Sequence, residues 1–404
     1  MKKLIFLFLS LCFCLANDLQ DAINKAFDGD IIELGSGIYE GNIIIDKELT
    51  IDGKDKSAII RGLGDGDVIK IKANNVKLLN LSIQNSGNSH NTIDSAISCD
   101  NALNVEISNN FISDSLFGIN FKQCHNSKIL NNKITSKAVD LGLRGDAIRL
   151  WYSHDNLVEN NHLYKSRDMV VWYSSNNIIR KNLGEFGRYS LHFMYAGKNL
   201  VEENTFKENS VGIFFMFSSG SLVRKNKVLN STGAFGVGIG MKETSDFVIK
   251  ENTLAYNARG LYIDNSPFQP QSINIYENNS IIYNIIGVQM HATLHKSVFL
   301  ENDFFGNMEV ALNDTPGSNL ALNEWSGNYF DDYTGFDNNK DGIGDIAYQN
   351  FTYFDTLWQY YPNLRLFYGS AVISILNFIA KLAPFSEPEL LITDNFPKMK
   401  AHYE

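Results

Sequence analysis

The sequence predicts an all-β protein whose body is a right-handed parallel β-helix with coils of about 22–26 residues. Three observations carry this. An apolar residue, two mostly polar residues and an asparagine recur at intervals of 21–29 residues. Short runs between them alternate apolar and polar residues, the two-residue period of a strand. The chain has 404 residues, 44 % of them hydrophobic, enough to fill one long repetitive core.

The clearest repeats are Ile107…Asn110, Ile129…Asn132, Val158…Asn161, Ile179…Asn182 and Val201…Asn204, then Val223…Asn226, Ile249…Asn252, Ile275…Asn278 and Phe299…Asn302. The period is too short for a helix–turn–helix repeat and leaves no room for the four strands of a propeller blade. Leucine at fixed positions, as in a leucine-rich repeat, is missing. An asparagine at the same turn of successive coils can stack, and it tolerates the left-handed turn conformation.

The chain opens MKKLIFLFLSLCFCLAND, with Lys2 and Lys3 before an apolar run from Leu4 to Leu15 and Ala16 before a cleavage point. Residues 1–16 are expected to be an export signal, too short to span a membrane; the competing reading is a buried N-terminal strand. Leu9-Ser10-Leu11 before Cys12 makes a poor lipoprotein box. Asp18 to Phe27 is an amphipathic helix that can cap the open end of a solenoid. The β-helix is expected over residues 17–356, followed by a docking helix and tail over 357–404. Cys99 and Cys124 are in neighbouring coils at non-equivalent positions, which argues against a bridge. The net charge of −10 and the lack of basic runs argue against nucleic acid.

One strand of each coil aligns well: AIRLWYS (147–153), MVVWYS (169–174), LHFMYA (191–196), GIFFMFS (212–218), GVGIGMK (236–242), GLYIDNS (260–266) and GVQMHAT (287–293). Alternate residues such as Ile148, Leu150, Leu191 and Phe193 are uniformly apolar and should point inward. The other set points outward and is rich in Trp, Met, Phe and His, with Trp151, Trp172 and Phe214 among its members. An exposed patch of this kind marks a binding surface, unless a loop or the C-terminal segment covers it. His192 and Met194 share this face, and Met216 should stack over Met194 at about the 4.8 Å coil spacing. Imidazole and thioether together suit a soft monovalent ion, copper(I) above all. Met241 and His291 are weaker candidates for the same role.

Two further constellations stand out. In DNNKDGIGD (337–345), Asp337, Asn339, Asp341 and Asp345 place oxygen ligands around Gly342 and Gly344. This resembles the start of a calcium loop without the distal Glu of an EF-hand; the competing reading is an Asx-rich turn. The segment 365–385 is the most apolar stretch after the signal. It is short of a membrane span and reads as an amphipathic helix that docks on a partner or a membrane surface, with Phe367, Ile373, Leu376 and Phe378 as its contacts; the alternative is a segment that folds back and covers the solenoid. The tail beyond Pro384 and Pro388 is expected to be extended.

The motifs GDAIRLWYS (145–153), RDMVVWYS (167–174), GRYSLHFMYA (187–196), RGLYIDNSP (259–267) and WSGNYFDDYTGFDNNKDGIGD (325–345) resemble the NosD family over essentially the whole chain beyond the signal. Phe330 departs from that family's usual WSGNYW. The resemblance implies a periplasmic, non-catalytic accessory protein held at the inner membrane by an ABC transporter, made of an ATPase and a membrane subunit. It further implies transient copper(I), a copper chaperone, and assembly of the copper–sulfide centre of nitrous-oxide reductase as the task. The rival reading is a polysaccharide lyase or uronate epimerase recruiting Asp146, Arg167, Asp168 and Asp264. Its weakness is an outer strip that is aromatic and thioether-rich rather than basic, where an anionic sugar wants cations. A structural adhesin, the third reading, would need neither metal nor dedicated partner.

Overall fold

The computed structural model describes residues 4–7, 18–233, 235–315, 318–352, 361–367, 370–382 and 388–402. The chain divides into two compact units, Met1–Asn209 and Ser210–Glu404. Each is a stretch of parallel β-helix in which every coil gives one short strand to each of three sheets.

In the first unit, helix Asp18–Lys25 precedes the coils. Of the segment read as an export signal, Leu4–Leu7 is a strand pairing in parallel with Ile31–Leu34. Residues 1–3 and 8–16 lie outside the described residues. A typical coil runs Glu106–Ser108, Phe111–Ser115 and Phe117–Lys122. Its first strand continues the column Ile107, Ile129, Val158, Ile179, Val201, paired in register. These side chains are buried because the two-residue period turns them all to the same side.

The repeated asparagines form a ladder. The backbone N–H and Nδ2 of Asn110 both donate to Asn132 Oδ1, at 2.9 and 3.0 Å. Asn132 does the same to Asn161, Asn161 to Asn182, and Asn182 to Asn204. Each amide thus satisfies buried backbone groups that a corner would orphan. The ladder residue is not the left-handed one. That conformation falls on the residue before it, such as Asn160, Lys181 and Glu203, with φ of 55–56°.

The second unit repeats the scheme with Asn226, Asn252, Asn279, Asn302 and Asn328. The ladder position is Asn279, not Asn278; Asn278 takes the left-handed corner at φ 52°. The column ends on Asp394, whose Oδ2 accepts from the backbone N–H and Nδ2 of Asn328. A carboxylate accepts without donating, so it terminates a column of amides. Asp394 belongs to strand Glu389–Asp394, which pairs antiparallel with Tyr348–Thr352. The tail beyond Pro388 thus begins extended, as a strand, and residues 389–402 return to cap this unit, where the backbone N–H of His402 donates to Asp303. The expected boundary at 356–357 lies outside the described residues.

Cys99 and Cys124 are bridged, with Cα atoms 6.5 Å apart. Their non-equivalent positions make a bridge doubtful from the sequence alone, and the corner geometry resolves this. Cys99 is an inward strand residue, and the left-handed bend at Gln123 turns Cys124 inward one coil later, so the two meet diagonally across the corner.

Candidate functional site

The candidate site is the outer face of the third sheet, taken in each unit separately. In the first unit two outward columns run side by side. One is Ser98, Asn120, Arg149, Val170 and His192; the other is Asp100, Lys122, Trp151, Trp172 and Met194. Rungs are about 4.8 Å apart. The face thus changes from charged to aromatic and then to imidazole and thioether.

His192 is more enclosed than an outward residue should be, at 8 % exposure. Its ring stacks on Tyr189 at 4.8 Å and meets Trp172 edge-on at 5.9 Å. Burial pulls its pKa down to about 4, against the raising effect of the Asp168 carboxylate. At neutral pH the imidazole is neutral, the form that ligates a metal. Met194 is half-buried two residues further on. Trp172 is its register neighbour and carries a buried indole N–H with no acceptor among the described residues.

Around this pair lies an aromatic cluster. Trp151 sits 5.8 Å from Trp172 and 5.3 Å from Tyr173. Tyr152, Tyr173 and Tyr195 stack at 4.8 and 5.0 Å along the adjoining corner. The Arg149 guanidinium lies 4.6 Å from the Trp151 centroid, a cation–π contact.

In the second unit the columns are Phe214, Gly240, Tyr262, Gln289 and Met216, Lys242, Asp264, His291. Met216 borders a lysine, and His291 Nδ1 bonds Asp314 Oδ1 at 2.8 Å. Three rungs, about 14 Å, separate Met216 from His291, so the structure does not bring these two together. Met241 is corrected outright. It is 0 % exposed, in register between Phe215 and Ile263, because alternation turns it into the core.

Among the described residues, no group of three or more His, Cys, Asp or Glu is arranged to hold a metal. In the 337–345 loop the carboxylates accept backbone N–H groups. Asp337 Oδ2 accepts from Gly342 at 2.9 Å, Asp341 Oδ1 from Ile343 at 2.8 Å and Asp345 Oδ2 from Asn338 at 2.8 Å. Asn339 Oδ1 accepts from Asp341. These are the bonds of an Asx-rich turn.

The C-terminal apolar segment forms a 3-10 turn, Pro362–Phe367, and helix Ala371–Leu382. Leu364 packs against Ile286 and Leu312. Ala380 is buried, whereas Val372, Ile375, Phe378 and Leu382 are 58–71 % exposed, and Phe367 and Leu376 are exposed too. The side chain of Ile373 lies outside the description. Among the described residues no helix is long and apolar enough to cross a membrane.

The residues a lyase would recruit are engaged with one another. Asp146 bonds Arg167 at 2.9 Å, Asp168 pairs with Arg188, and Asp264 lies 3.4 Å from Lys242. Both Asp146 and Asp168 are buried.

Sequence reasoning missed Tyr189. Strict alternation groups it with the inward Leu191 and Phe193. A bulge shifts the register between the pairs Asp168↔Tyr189 and Val170↔His192, which puts the two rings on one face.

The family model described as "Periplasmic copper-binding protein (NosD)" matches residues 130–335. A probable ABC transporter binding protein NosD of Pseudomonas aeruginosa is 27 % identical over 391 residues, 90 % of this chain and 87 % of that protein. One of the same description from Stutzerimonas stutzeri is 32 % identical over 146 residues, 35 % of this chain and 31 % of that relative's length. Among solved structures, the A-module of Azotobacter vinelandii mannuronan C-5 epimerase AlgE6 is similar with a TM-score of 0.63 at 15 % identity, covering 78 % of this chain and 93 % of that one. The Streptococcus pneumoniae surface adhesin PfbA follows at 0.54 and 13 %, covering 73 % and 88 %. At these identities the likeness shows the fold.

Proposed function

Since this chain belongs to the NosD family of periplasmic copper-binding proteins, we infer that it is a non-catalytic accessory protein that works beside an ABC transporter in handling copper for nitrous-oxide reductase. Copper(I) is its transient cargo. The observation that carries the reading is the pair His192 and Met194 on one strand of the first unit, enclosed by Tyr189 and Trp172. A neutral imidazole and a thioether fit a soft, monovalent ion. Tyr189 and Trp172 exclude water and fix the imidazole plane. Within the second unit Met216 and His291 are separate single candidates, the latter with its Nδ1 held by Asp314.

The partners follow from the same membership. Both relatives are described as ABC transporter binding proteins. The exposed apolar face of helix Ala371–Leu382 supports docking on the membrane subunit, which would hold the protein peripherally at the inner membrane. The aromatic cluster of Trp151 and Trp172 in the first unit is a surface offered to the copper chaperone or the reductase, and Phe214 marks a separate aromatic position on the second unit. The ion pairs that occupy Asp146 and Asp168 favour this reading over a lyase or epimerase. Calcium in the 337–345 loop is a separate proposal, tested by calorimetric titration of the chelator-treated protein; absence of heat rejects it.

The copper reading is tested by anaerobic titration of copper(I) against a competing chelator. Replacing His192 and Met194 by Ala should weaken binding, with Met216→Ala measured separately. Unchanged affinity in all three substitutions removes the site.

A further inference from the structure

The charged end of the first unit's outer face holds a groove of about 350 Å³, lined by Asp67, Ser98, Asn120, Lys122, Arg149 and Trp151 among others. That volume is within the range of small-molecule sites. Its floor is the register column Lys70, Ser98, Asn120, Arg149.

Arg149 is the unusual member. It is partly buried and rests on Trp151, and Nη1 donates to Asn120 Oδ1 at 3.1 Å. No carboxylate among the described residues comes within ion-pair distance of it, whereas Arg167 pairs with Asp146 and Asp168 and Arg188 with Asp168. Burial holds its pKa below the usual arginine value, in spite of the nearby Asp146 charge. A guanidinium with most of its fork unused, in a concave site, matches a planar carboxylate held by two parallel bonds. Lys122, 3.8 Å from Asp100, adds a second cation at the same end.

Across the floor the chemistry reverses. Asp67 is held by the Ser98 hydroxyl at 2.7 Å and the Ser95 N–H at 2.9 Å. Its remaining lone pairs accept hydroxyl protons. The rim is built rigidly: Asp94 accepts from the Ser89 N–H and the Thr92 hydroxyl, and Ile93 is held at φ 58°. A β-branched residue in the left-handed region is strained, and such strain persists only where the surroundings enforce it.

We propose that this groove binds a small polyhydroxylated carboxylate, with the carboxylate on the Arg149 fork and hydroxyls on Asp67 and Ser98. This site uses none of the copper candidates, so either reading can fail alone.

Calorimetric titration of the full chain with D-glucuronate tests it, with D-glucose and inorganic phosphate as controls. Saturable binding of glucuronate is expected, with glucose and phosphate each at least about tenfold weaker. Arg149→Met should lower the glucuronate affinity by about tenfold or more, the worth of one charge-assisted pair. Arg149→Lys keeps the charge and loses the fork, and should also weaken binding. Lys122→Ala covers the case in which changes at Arg149 disturb folding, read from thermal melts. No saturable glucuronate binding overturns the proposal. So does equal binding of phosphate, which would make this a general anion site, or unchanged affinity in folded Arg149 and Lys122 variants.

Discussion

The ring of Tyr189 stacks on the imidazole of His192 at 4.8 Å, although the two residues are three apart on one strand. The bulge opposite Asp168 and Val170 makes this possible. It encloses a histidine that alternation alone would leave open to solvent. The imidazole should therefore stay neutral well below its ordinary pKa, titrating near the value of about 4 that burial imposes. NMR titration of the His192 ring checks this, and a midpoint near 6.5 would contradict the packing.

Asp146 should make folding stability depend on pH in the opposite sense to His192. Burial pushes its carboxyl up to about 6 in the folded chain, despite the Arg167 guanidinium beside it. The folded state then binds the proton more tightly than the unfolded state does. The ionised carboxyl therefore destabilises the folded chain at higher pH, a cost relieved as pH falls through the raised pKa toward the unfolded value. His192 loses stability over much the same interval, so the wild type alone is uninformative. Relative to Asp146→Asn, the wild type should gain stability between about pH 7.5 and pH 5 in denaturant titrations. A difference that does not change with pH would reject the assignment.

The asparagine ladder predicts a sharp contrast between neighbours. Asn161→Ala removes the acceptor of the Asn132 N–H and Nδ2 and the donor to Ile129 O and Asn182 Oδ1. All are buried, so the loss should be about 3–5 kcal/mol. Asn160→Lys, one residue earlier at the exposed corner, should stay within about 0.5 kcal/mol, since Lys181 fills the equivalent corner one coil on. Urea unfolding of both variants makes the comparison.

Breaking the Cys99–Cys124 bridge should cost about 2–4 kcal/mol, because it closes a loop spanning 25 residues. Thermal melts with and without reductant test this. A melt unaffected by reductant, or free thiols found by mass spectrometry, would show the bridge absent.

Helix Ala371–Leu382 offers a cleaner docking test than truncation, because residues beyond it carry Asp394 and cap the second unit. Val372→Glu together with Phe378→Glu places charge on exposed positions and should leave the melting curve nearly unchanged. Co-purification with the transporter subunits should be lost. Retained co-purification would move the docking surface elsewhere.

The sequence determined the repeat, the inward columns such as Ile148, Leu150, Leu191 and Phe193, the cap helix and the family. Each follows from a period of two residues within a strand or one coil along the chain, and both periods are local. The asparagine ladder was legible in most coils. Asn279 was misplaced by one residue, and the second ladder of Asn156, Asn177 and Asn199 was missed, since any amide near a corner looks alike until register is set. Met241 looks like a ligand by residue type, but alternation turns it into the core between Phe215 and Ile263. Only the tertiary structure decided the rest. It set Tyr189 beside His192 through a bulge, joined Cys99 to Cys124 across a corner, brought Asp394 back to end the ladder, and left Arg149 in its groove with no carboxylate of the described residues at ion-pair distance. Each depends on how one coil registers on the next, and that register is fixed by packing between residues more than twenty positions apart.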